Sequence, residues 1–483
     1  MTPSPRTIAI VGGGFSGTVL AAHLLRLSYW KPLRVVLVDR SERIGRGAAY
    51  AASSFPYLLN VPAGRMSANS RDPLEFLKFA RAKHPQATAD DFLPRSTFGE
   101  YLESLLLEAE LSCPPHVRLE RLCGEVQSIE RMGSLQGLRA QLADGRTVNA
   151  DEIVLALGNP PPQPLPGADA LPPARYIECP WAGVSACQAG ETVLAVGTGL
   201  TMADAVVAGA DLTAGQVTFH AISRHGLLPP SQTAFRFRPA RCEGDSGLLL
   251  RAASSSARQL MRAVRELAQG LERQGGDWRE AVTFVRNLAP ALWQRLSLRE
   301  RRRFLRHART YWDIHRHRLP QPTLAVLDEL RQRDKLHVHA GRIVGFEPAE
   351  RRIRVQWRPR GCSETRALLV DRIINCTGPD FSPRRSRDVL LRSLLTQGMI
   401  TADSLGLGLR TSTNGAAIDA RGRAASDLYY IGPMLRADHW ESTAAQELRV
   451  HAERLAYHLT APIAMSRAPG ERLPAPHRYR STA

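Results

Sequence analysis

Gly12, Gly14 and Gly17 form a G-x-G-x-x-G run directly after the apolar, β-branched residues 7–11 and directly before residues 18–25, whose pattern is helical. Each glycine has a distinct use there. The first permits the tight turn out of the strand, the second lets a pyrophosphate approach the backbone, and the third lets helix pack closely on strand. The helix N-terminus, with Phe15 and Ser16 in its opening turn, then presents unpaired N–H groups to an anion. A second apolar run, residues 35–38, ends in Asp39 followed by Arg40. An acid at the end of the second strand is the group that holds a ribose in a dinucleotide fold. Dinucleotide binding is the chemistry this stretch predicts.

The arrangement recurs. Residues 192–196 run apolar into Gly197-Thr198-Gly199-Leu200-Thr201 and then into a helical pattern, without the third glycine. The next strand, residues 217–222, ends in Ser223 and Arg224 in place of an acid. A guanidinium grips phosphate through two parallel hydrogen bonds, so this pair suits the extra 2′-phosphate of NADP. Each half also closes alike: short meander strands lead to Asp151 or Asp371, then an apolar strand, then Gly158-Asn159 or Gly378-Pro379. Such an echo predicts two related nucleotide-binding units.

Other stretches must shape what lies between them. Gly45-Arg46-Gly47-Ala48-Ala49-Tyr50 is a second small-residue loop where backbone can approach a ligand, and residues 58–69 form a loop with little charge. Helices are predicted from Asp72 (with Glu75 completing a capping box) and over residues 98–109. Residues 160–166 carry five prolines and read as a crossover between domains. Residues 246–320 are helical and rich in arginine, with Trp278, Trp293 and Trp312 spaced among them, which predicts a helical subdomain with a solvated basic face. His315 and His317 do not share a helix face, so they make no metal pair. Residues 428–433 read as a strand ending in Gly432-Pro433, and Thr443 with Gln446 as a capping box that opens a helix to about residue 459. The positive end of that helix suits an electron-rich ring edge. No side chain presents itself as a general base. Glu441 and Trp440 are weak catalytic candidates, as are His439 and, on the insertion, His315 or His317.

Composition bounds the reading. At 483 residues the chain accommodates two or three domains, and 43% hydrophobic with 23% charged residues is ordinary for a globular protein. The net charge of +18 comes almost wholly from arginine, since only four of the 64 basic residues are lysine. No nucleic-acid-binding module accompanies it, so no nucleic-acid partner is expected; attraction of anionic small molecules is. The seven cysteines show no C-x-x-C and no zinc spacing. With no apolar run of membrane length and no signal-peptide pattern, a cytoplasmic location without membrane contact is expected. Nothing specifies an oligomeric state.

With these pieces placed, the chain resembles the two-dinucleotide-binding flavoproteins. It is most similar to NAD(P)/FAD-binding oxidoreductases distantly related to flavin-containing and N-hydroxylating monooxygenases. The residues that carry the resemblance are the run at 12–17, Gly45–Tyr50, Asn60-Val61-Pro62-Ala63, Ala156-Leu157-Gly158-Asn159-Pro160, Gly197–Asp204, residues 311–318 and Ile431-Gly432-Pro433 with Trp440-Glu441. The resemblance implies an α/β fold with two Rossmann-like dinucleotide-binding domains, the FAD domain split by an inserted NAD(P) domain, plus a helical insertion. It implies FAD on Gly12, Gly14, Phe15, Ser16, Gly17, Asp39, Arg40, Arg46, Gly47, Asn60, Val126, Ala156, Gly158, Gly432 and Thr443. It implies NADPH, with NADH as an alternative, on Gly197, Gly199, Leu200, Thr201, Ser223 and Arg224.

The corresponding boundaries are 1–165 and 381–460 for the FAD domain, 190–245 and 321–380 for the NAD(P) domain, 246–320 for the insertion and 461–483 for a flexible tail. Two departures bear on activity. The first cysteine is Cys113, too late for the redox pair of the disulfide reductases in this superfamily. The F-x-G-x-x-x-H motif of flavin monooxygenases is met only by residues 175–181, which keep the aromatic Tyr176 and lack the histidine. The expected function is an FAD-dependent oxidoreductase in which NADPH reduces the flavin, monooxygenase-like on a small molecule. The alternatives are a dehydrogenase or reductase without oxygen insertion, or a non-catalytic flavin-binding sensor.

Overall fold

The computed structural model describes residues 5–28, 31–51, 55–133, 137–233 and 237–461; the tail from residue 462 onward lies outside them. The chain begins with β1 (Arg6–Val11), α1 (Phe15–Leu27) and β2 (Leu33–Asp39). Three helices, α2 (Gly47–Tyr50), α3 (Glu75–Ala80) and α4 (Arg95–Leu111), lead to β3 (Val117–Cys123). An antiparallel meander follows, β4 (Val126–Arg131), β5 (Leu138–Leu142) and β6 (Thr147–Ala150), then β7 (Glu152–Leu155). Its strands alternate buried and exposed residues, as β5 does at every position, the signature of a sheet with one wet face.

The second unit repeats this plan. It contains β8 (Tyr176–Ile177), α5 (Pro180–Gly183), β9 (Thr192–Val196), α6 (Leu200–Leu212) and β10 (Thr218–Ser223). Five consecutive helices come next: α7 (Ser246–Ser255), α8 (Ala257–Arg273), α9 (Trp278–Arg295), α10 (Leu298–His307) and α11 (Arg309–Arg316). Then α12 (Gln321–Gln332), β11 (Leu336–Ala349), β12 (Arg352–Pro359), β13 (Arg366–Val370) and β14 (Arg372–Asn375) complete it. The chain ends through α13 (Val389–Thr396), β15 (Ala416–Ile418), β16 (Ala424–Tyr430) and α14 (Ala445–Thr460).

One sheet has the order β15-β16-β7-β1-β2-β3, the other β13-β12-β11-β10-β9-β14-β8. In both, the fingerprint strand (β1 or β9) stands between the next strand of its own unit and a strand from far along the chain, all parallel. The strand order reverses there, which opens a crevice at the carboxyl ends of the strands. The first sheet takes its last strands from residues 416–430, so the first unit closes only after the second is complete. In the second unit the meander is continuous with the sheet: β11 pairs in parallel with β10 over residues 336–340, then antiparallel with β12 from Gly341 onward.

Apolar strands explain the burial. Ile8, Ile10, Val35 and Leu37 point to α1, α4 and α14, whereas Ala9, Val11, Val36 and Val38 face the first meander and α13. The five-helix insertion has its own core, around Leu260, Phe284, Trp293, Phe304 and Trp312, and Trp440 from the closing segment packs into it.

Some local expectations are corrected. Asp72 accepts the Leu74 N–H, but α3 starts at Glu75, whose carboxylate binds the Tyr101 hydroxyl and the Asn69 amide instead of forming a capping box. The Thr443–Gln446 box also does not form: Ala444 is the N-cap of α14, and the Gln446 amide donates to the Arg65 carbonyl at 3.0 Å. Tertiary partners outcompete the local cap in both places.

Candidate functional site

The turn after β1 is held by contacts that only glycine tolerates. Gly12 has φ +111°, and a Cβ there would lie 2.2 Å from the Ala156 carbonyl oxygen at the end of β7. A Cβ on Gly17 would lie 1.9 Å from the Gly12 oxygen, so α1 sits directly on the turn. The Gly13 N–H donates to Asp39 Oδ2 at 2.6 Å and the Ser41 N–H to Oδ1 at 2.8 Å, which fixes the carboxylate with lone pairs to spare. The N-cap of α1 is Gly14, with no side-chain cap and no acid in the first turn, so the N–H groups of that turn are left for a ligand.

Of the other residues singled out in the sequence, one glycine packs directly on this turn. Gly47, at φ +53°, stands against Gly14: a Cβ on it would be 3.0 Å from the Gly14 Cα. Gly158 has φ +68° and open space around its missing Cβ. Asn60 is half-buried and Val126 is buried at the start of β4. Gly432, two residues after β16, has φ +140°, and a Cβ on it would press to 2.8 Å from the Tyr430 hydroxyl. The loop after Asn60 is tied to α14 by the Gln446–Arg65 bond and by Arg449, which donates to the Ser67 carbonyl at 2.7 Å.

Arg46, Arg40 and Phe15 have partners within the protein. Arg46 is buried and makes two bonds of 2.8 Å to Glu103, so its guanidinium anchors the loop to α4. Arg40 is exposed and reaches Glu125 at 3.3 Å. Phe15 packs its ring toward Phe98, centroids 6.0 Å apart, and Ser16 is buried. Thr443 lies in the turn before α14.

The second turn reproduces the first. Gly197 has φ +117°, and a Cβ there would lie 2.3 Å from the Cys376 carbonyl oxygen at the end of β14. Asp371 accepts the Thr192 N–H at 2.8 Å, as Asp151 accepts the Thr7 N–H at 2.7 Å. Gly199 caps α6 with no side-chain cap and no acid in the first turn, and its missing Cβ faces open space. Leu200 and Thr201 are half-buried there, and a buried Met202 stands where the third glycine would be.

Ser223 and Arg224 part company. The Gly226 N–H donates to Ser223 Oγ at 3.0 Å, Ser223 Oγ lies 2.9 Å from Thr198 Oγ1, and Thr198 Oγ1 lies 2.6 Å from the Leu227 carbonyl. Thr198 must donate to that carbonyl, so Ser223 spends its single proton on Thr198. Its hydroxyl shapes the turn and has no proton left for a phosphate. Arg224 is exposed with no hydrogen-bond or ion-pair partner among the described residues. Beside it is His225, whose imidazole is held below its ordinary pKa by burial and then by Arg360 and Arg224, and whose Nδ1 is buried without a hydrogen-bond partner. Arg360 arrives from the turn after β12, where its N–H donates to the Ala340 carbonyl at 2.9 Å. No local signal marked Arg360; the meander fold alone brings it within electrostatic reach of His225, the neighbour of Arg224.

The catalytic candidates are packed. Trp440 lies between Trp293, at 4.7 Å between centroids, and the guanidinium of Arg436, 4.0 Å from its ring. Glu441 is buried, accepting from Trp312 Nε1 at 3.0 Å and Arg316 Nε at 2.8 Å. Burial by itself would raise its carboxyl, but Arg316, His317 and Arg286 outweigh that and hold it below the ordinary carboxylate range. Both residues fasten the insertion to the closing segment.

The glycine cradles and uncapped helix ends fit two dinucleotides, one on each turn. Comparison with known proteins agrees with this geometry. Residues 9–160 match the family described as FAD-NAD(P)-binding. No curated protein matches the chain. Among solved structures, the chain is similar to the reduced form of ornithine hydroxylase from Pseudomonas aeruginosa, with 16% identity, a TM-score of 0.60, and 94% of this chain and 99% of that one covered. It is similar to L-lysine 6-monooxygenase from Pseudomonas syringae, with 16% identity, a TM-score of 0.62, and 94% and 98% covered. It is similar to the FAD-bound cadaverine monooxygenase from Erwinia amylovora, with 13% identity, a TM-score of 0.62, and 99% and 100% covered. At such identities the likeness is one of fold. Residues 9–160 thus match the FAD-NAD(P)-binding family, and the chain shares the fold of these monooxygenase structures.

Proposed function

We propose that the chain is an FAD-dependent oxidoreductase that takes its electrons from NADPH and acts as a monooxygenase on a small molecule. The observation that carries this reading is the duplicated cradle, Gly12 against Ala156 and Gly197 against Cys376, which gives one chain two dinucleotide sites. The solved structures of similar fold include hydroxylases of ornithine, lysine and cadaverine, and one described with reduced FAD, NADP+ and L-ornithine together. FAD, when bound, supplies hydride acceptance and, once reduced, reaction with dioxygen.

The chain's own residues bind and orient. The first turn of α1 receives the pyrophosphate of FAD, and Asp39 accepts from a ribose hydroxyl. Residues 60–69 and the start of α14 enclose the remainder. Gly199, Leu200 and Thr201 receive the second pyrophosphate, while Arg224 and Arg360 bind the 2′-phosphate that distinguishes NADPH from NADH. No side chain is assigned as acid or base. Residues 1–165 and 381–460 make the FAD unit, 190–245 and 321–380 with the preceding β8 and α5 make the NAD(P) unit, and 246–320 the insertion. The seven cysteines stand unpaired, as thiols do in a reducing cytoplasm.

The visible spectrum of the purified protein tests the reading, before and after anaerobic NADPH and NADH and then on admission of air. Flavin bands bleached much faster by NADPH support it, and trapped hydroxylated product exceeding released hydrogen peroxide supports the monooxygenase part. A flavin that neither nucleotide bleaches refutes electron input from NADPH. A colourless protein that cannot be reconstituted with FAD refutes the assignment of the first turn.

A further inference from the structure

The insertion contains a cleft that the two nucleotide turns do not use. It is a half-open groove between α8 and the α10–α11 pair with a volume of about 490 Å³, the size of a small-molecule site. Met261 and Tyr311 supply an apolar floor, and Arg258, Arg265 and Arg303 supply charge. Arg258 and Arg265 are seven residues apart on α8, two helical turns or about 10 Å, with Met261 between them on the same face.

The charges in the cleft do not balance. Its single acid, Glu300, is fully engaged: Oε2 accepts the Ala257 N–H at 3.0 Å and Oε1 the Arg303 guanidinium at 2.7 Å. Arg258 and Arg265 have no acidic or hydrogen-bonding partner among the described residues. Both are exposed. Arg251, Arg262, Arg295, Arg299, Arg302 and Arg306 of the insertion also lack such a partner among the described residues, but none of them lines the cleft. The remaining ones are provided for. Arg279 pairs with Asp277, Arg286 with Glu447, Arg309 with Asp313, and Arg301 donates to the Trp293 and Leu296 carbonyls. An apolar floor between unpaired guanidiniums complements a molecule with a hydrocarbon or aryl body and an anionic head.

We infer that this cleft is a binding site for a small organic anion with an apolar body, held by Arg258 and Arg265 over Met261 and Tyr311. The Tyr311 ring lies 5.6 Å from that of His225, so the site adjoins the second nucleotide turn without including it. Carboxylate, phosphate and sulfonate heads share the required chemistry.

Calorimetric titration of the FAD-loaded protein with decanoate, below its micellar concentration, tests this. Saturable binding of one decanoate per chain is expected, weakened about tenfold in R258Q/R265Q and further in R258E/R265E, and weakened by added salt. M261W, which keeps both charges and fills the floor, should also lose binding. All three variants should retain flavin content and NADPH oxidation. Three results would each overturn the inference: variants that bind decanoate like the parent, decyltrimethylammonium binding as tightly as decanoate, or no saturable decanoate binding. Competitive displacement of decanoate by NADP+ would overturn its being a separate site.

Discussion

At the scale of single residues, the two turns offer matched tests because their geometry is the same and their proposed ligands differ. Gly12→Ala places a Cβ 2.2 Å from the Ala156 oxygen, and Gly197→Ala places one 2.3 Å from the Cys376 oxygen, both at a φ that costs a side chain about 1–3 kcal/mol. Gly12→Ala is expected to purify with little flavin. Gly197→Ala should keep its flavin and lose reduction by NADPH. Flavin content by absorbance and bleaching by stopped flow measure the two effects, and equal loss of flavin in both variants would contradict the assignment of FAD to the first turn. Arg360 supplies a second test, because a charge-assisted bond to the 2′-phosphate leaves NADH unaffected. Arg360→Ala should raise KM for NADPH about tenfold with KM for NADH unchanged. A parallel rise for both nucleotides would mean that Arg360 only supports the fold of the turn.

At the scale of elements, the pairing of β10 with β11 stacks three histidines. His220 Nδ1 lies 2.9 Å from His339 Nε2, and the His220 ring stacks on His337 at 4.6 Å. Burial, reinforced by repulsion from His337 and His339, lowers the His220 pKa from 6.5 to about 4. The unfolded chain therefore takes up this proton at a higher pH than the folded one. The stability it confers is complete above about 6.5 and is lost as pH falls toward 4. His317, at about 4, and His451, at about 3, are lowered first by burial and add slope of the same sign. His220→Phe keeps a ring in the stack and removes the proton, so urea unfolding at pH 7 and pH 5 should show a dependence shallower by about one proton. An unchanged slope would show that the stack does not titrate on unfolding.

These same elements show what was legible in the sequence. The glycine turns, their strands and both meanders were, because period-two apolar runs broken by glycine are local signals. The repeat of Asp151 as Asp371 was legible for the same reason. The committed partners were not: Ser223 to Thr198, Arg46 to Glu103 and Glu441 to Trp312 and Arg316 join residues 25 or more positions apart. The false capping boxes at Asp72 and Thr443 fail likewise, since Tyr101 and the Arg65 carbonyl offer stronger distant partners.

At the scale of the whole molecule, two copies of one nucleotide-binding plan must face each other for electrons to pass between their ligands, and the structure shows what joins them. Arg95, at the start of α4 in the first unit, bonds Asp204 of α6 in the second at 2.7 Å, with 18% and 13% of their side-chain surfaces exposed. The guanidinium also lies 5.0 Å from the Trp181 ring, and Tyr57 of the first unit meets Trp181 of the second edge-on at 5.2 Å. Burial raises the Asp204 carboxyl even though Arg95 opposes the shift. Removing Arg95 would leave that carboxylate buried and unpaired, a change that costs about 3 kcal/mol or more, whereas neutralising both partners costs far less. Arg95→Ala should therefore unfold at lower urea, and Arg95→Ala with Asp204→Asn should recover most of the loss. The deficit of the single variant should shrink as pH falls toward the raised pKa of Asp204, because protonation removes the unpaired charge. If the bridge also sets how the units face each other, the single variant will keep its flavin while NADPH bleaches it more slowly. Unchanged stability and unchanged bleaching together would mean that the aromatic contact of Tyr57 with Trp181 holds the two units by itself.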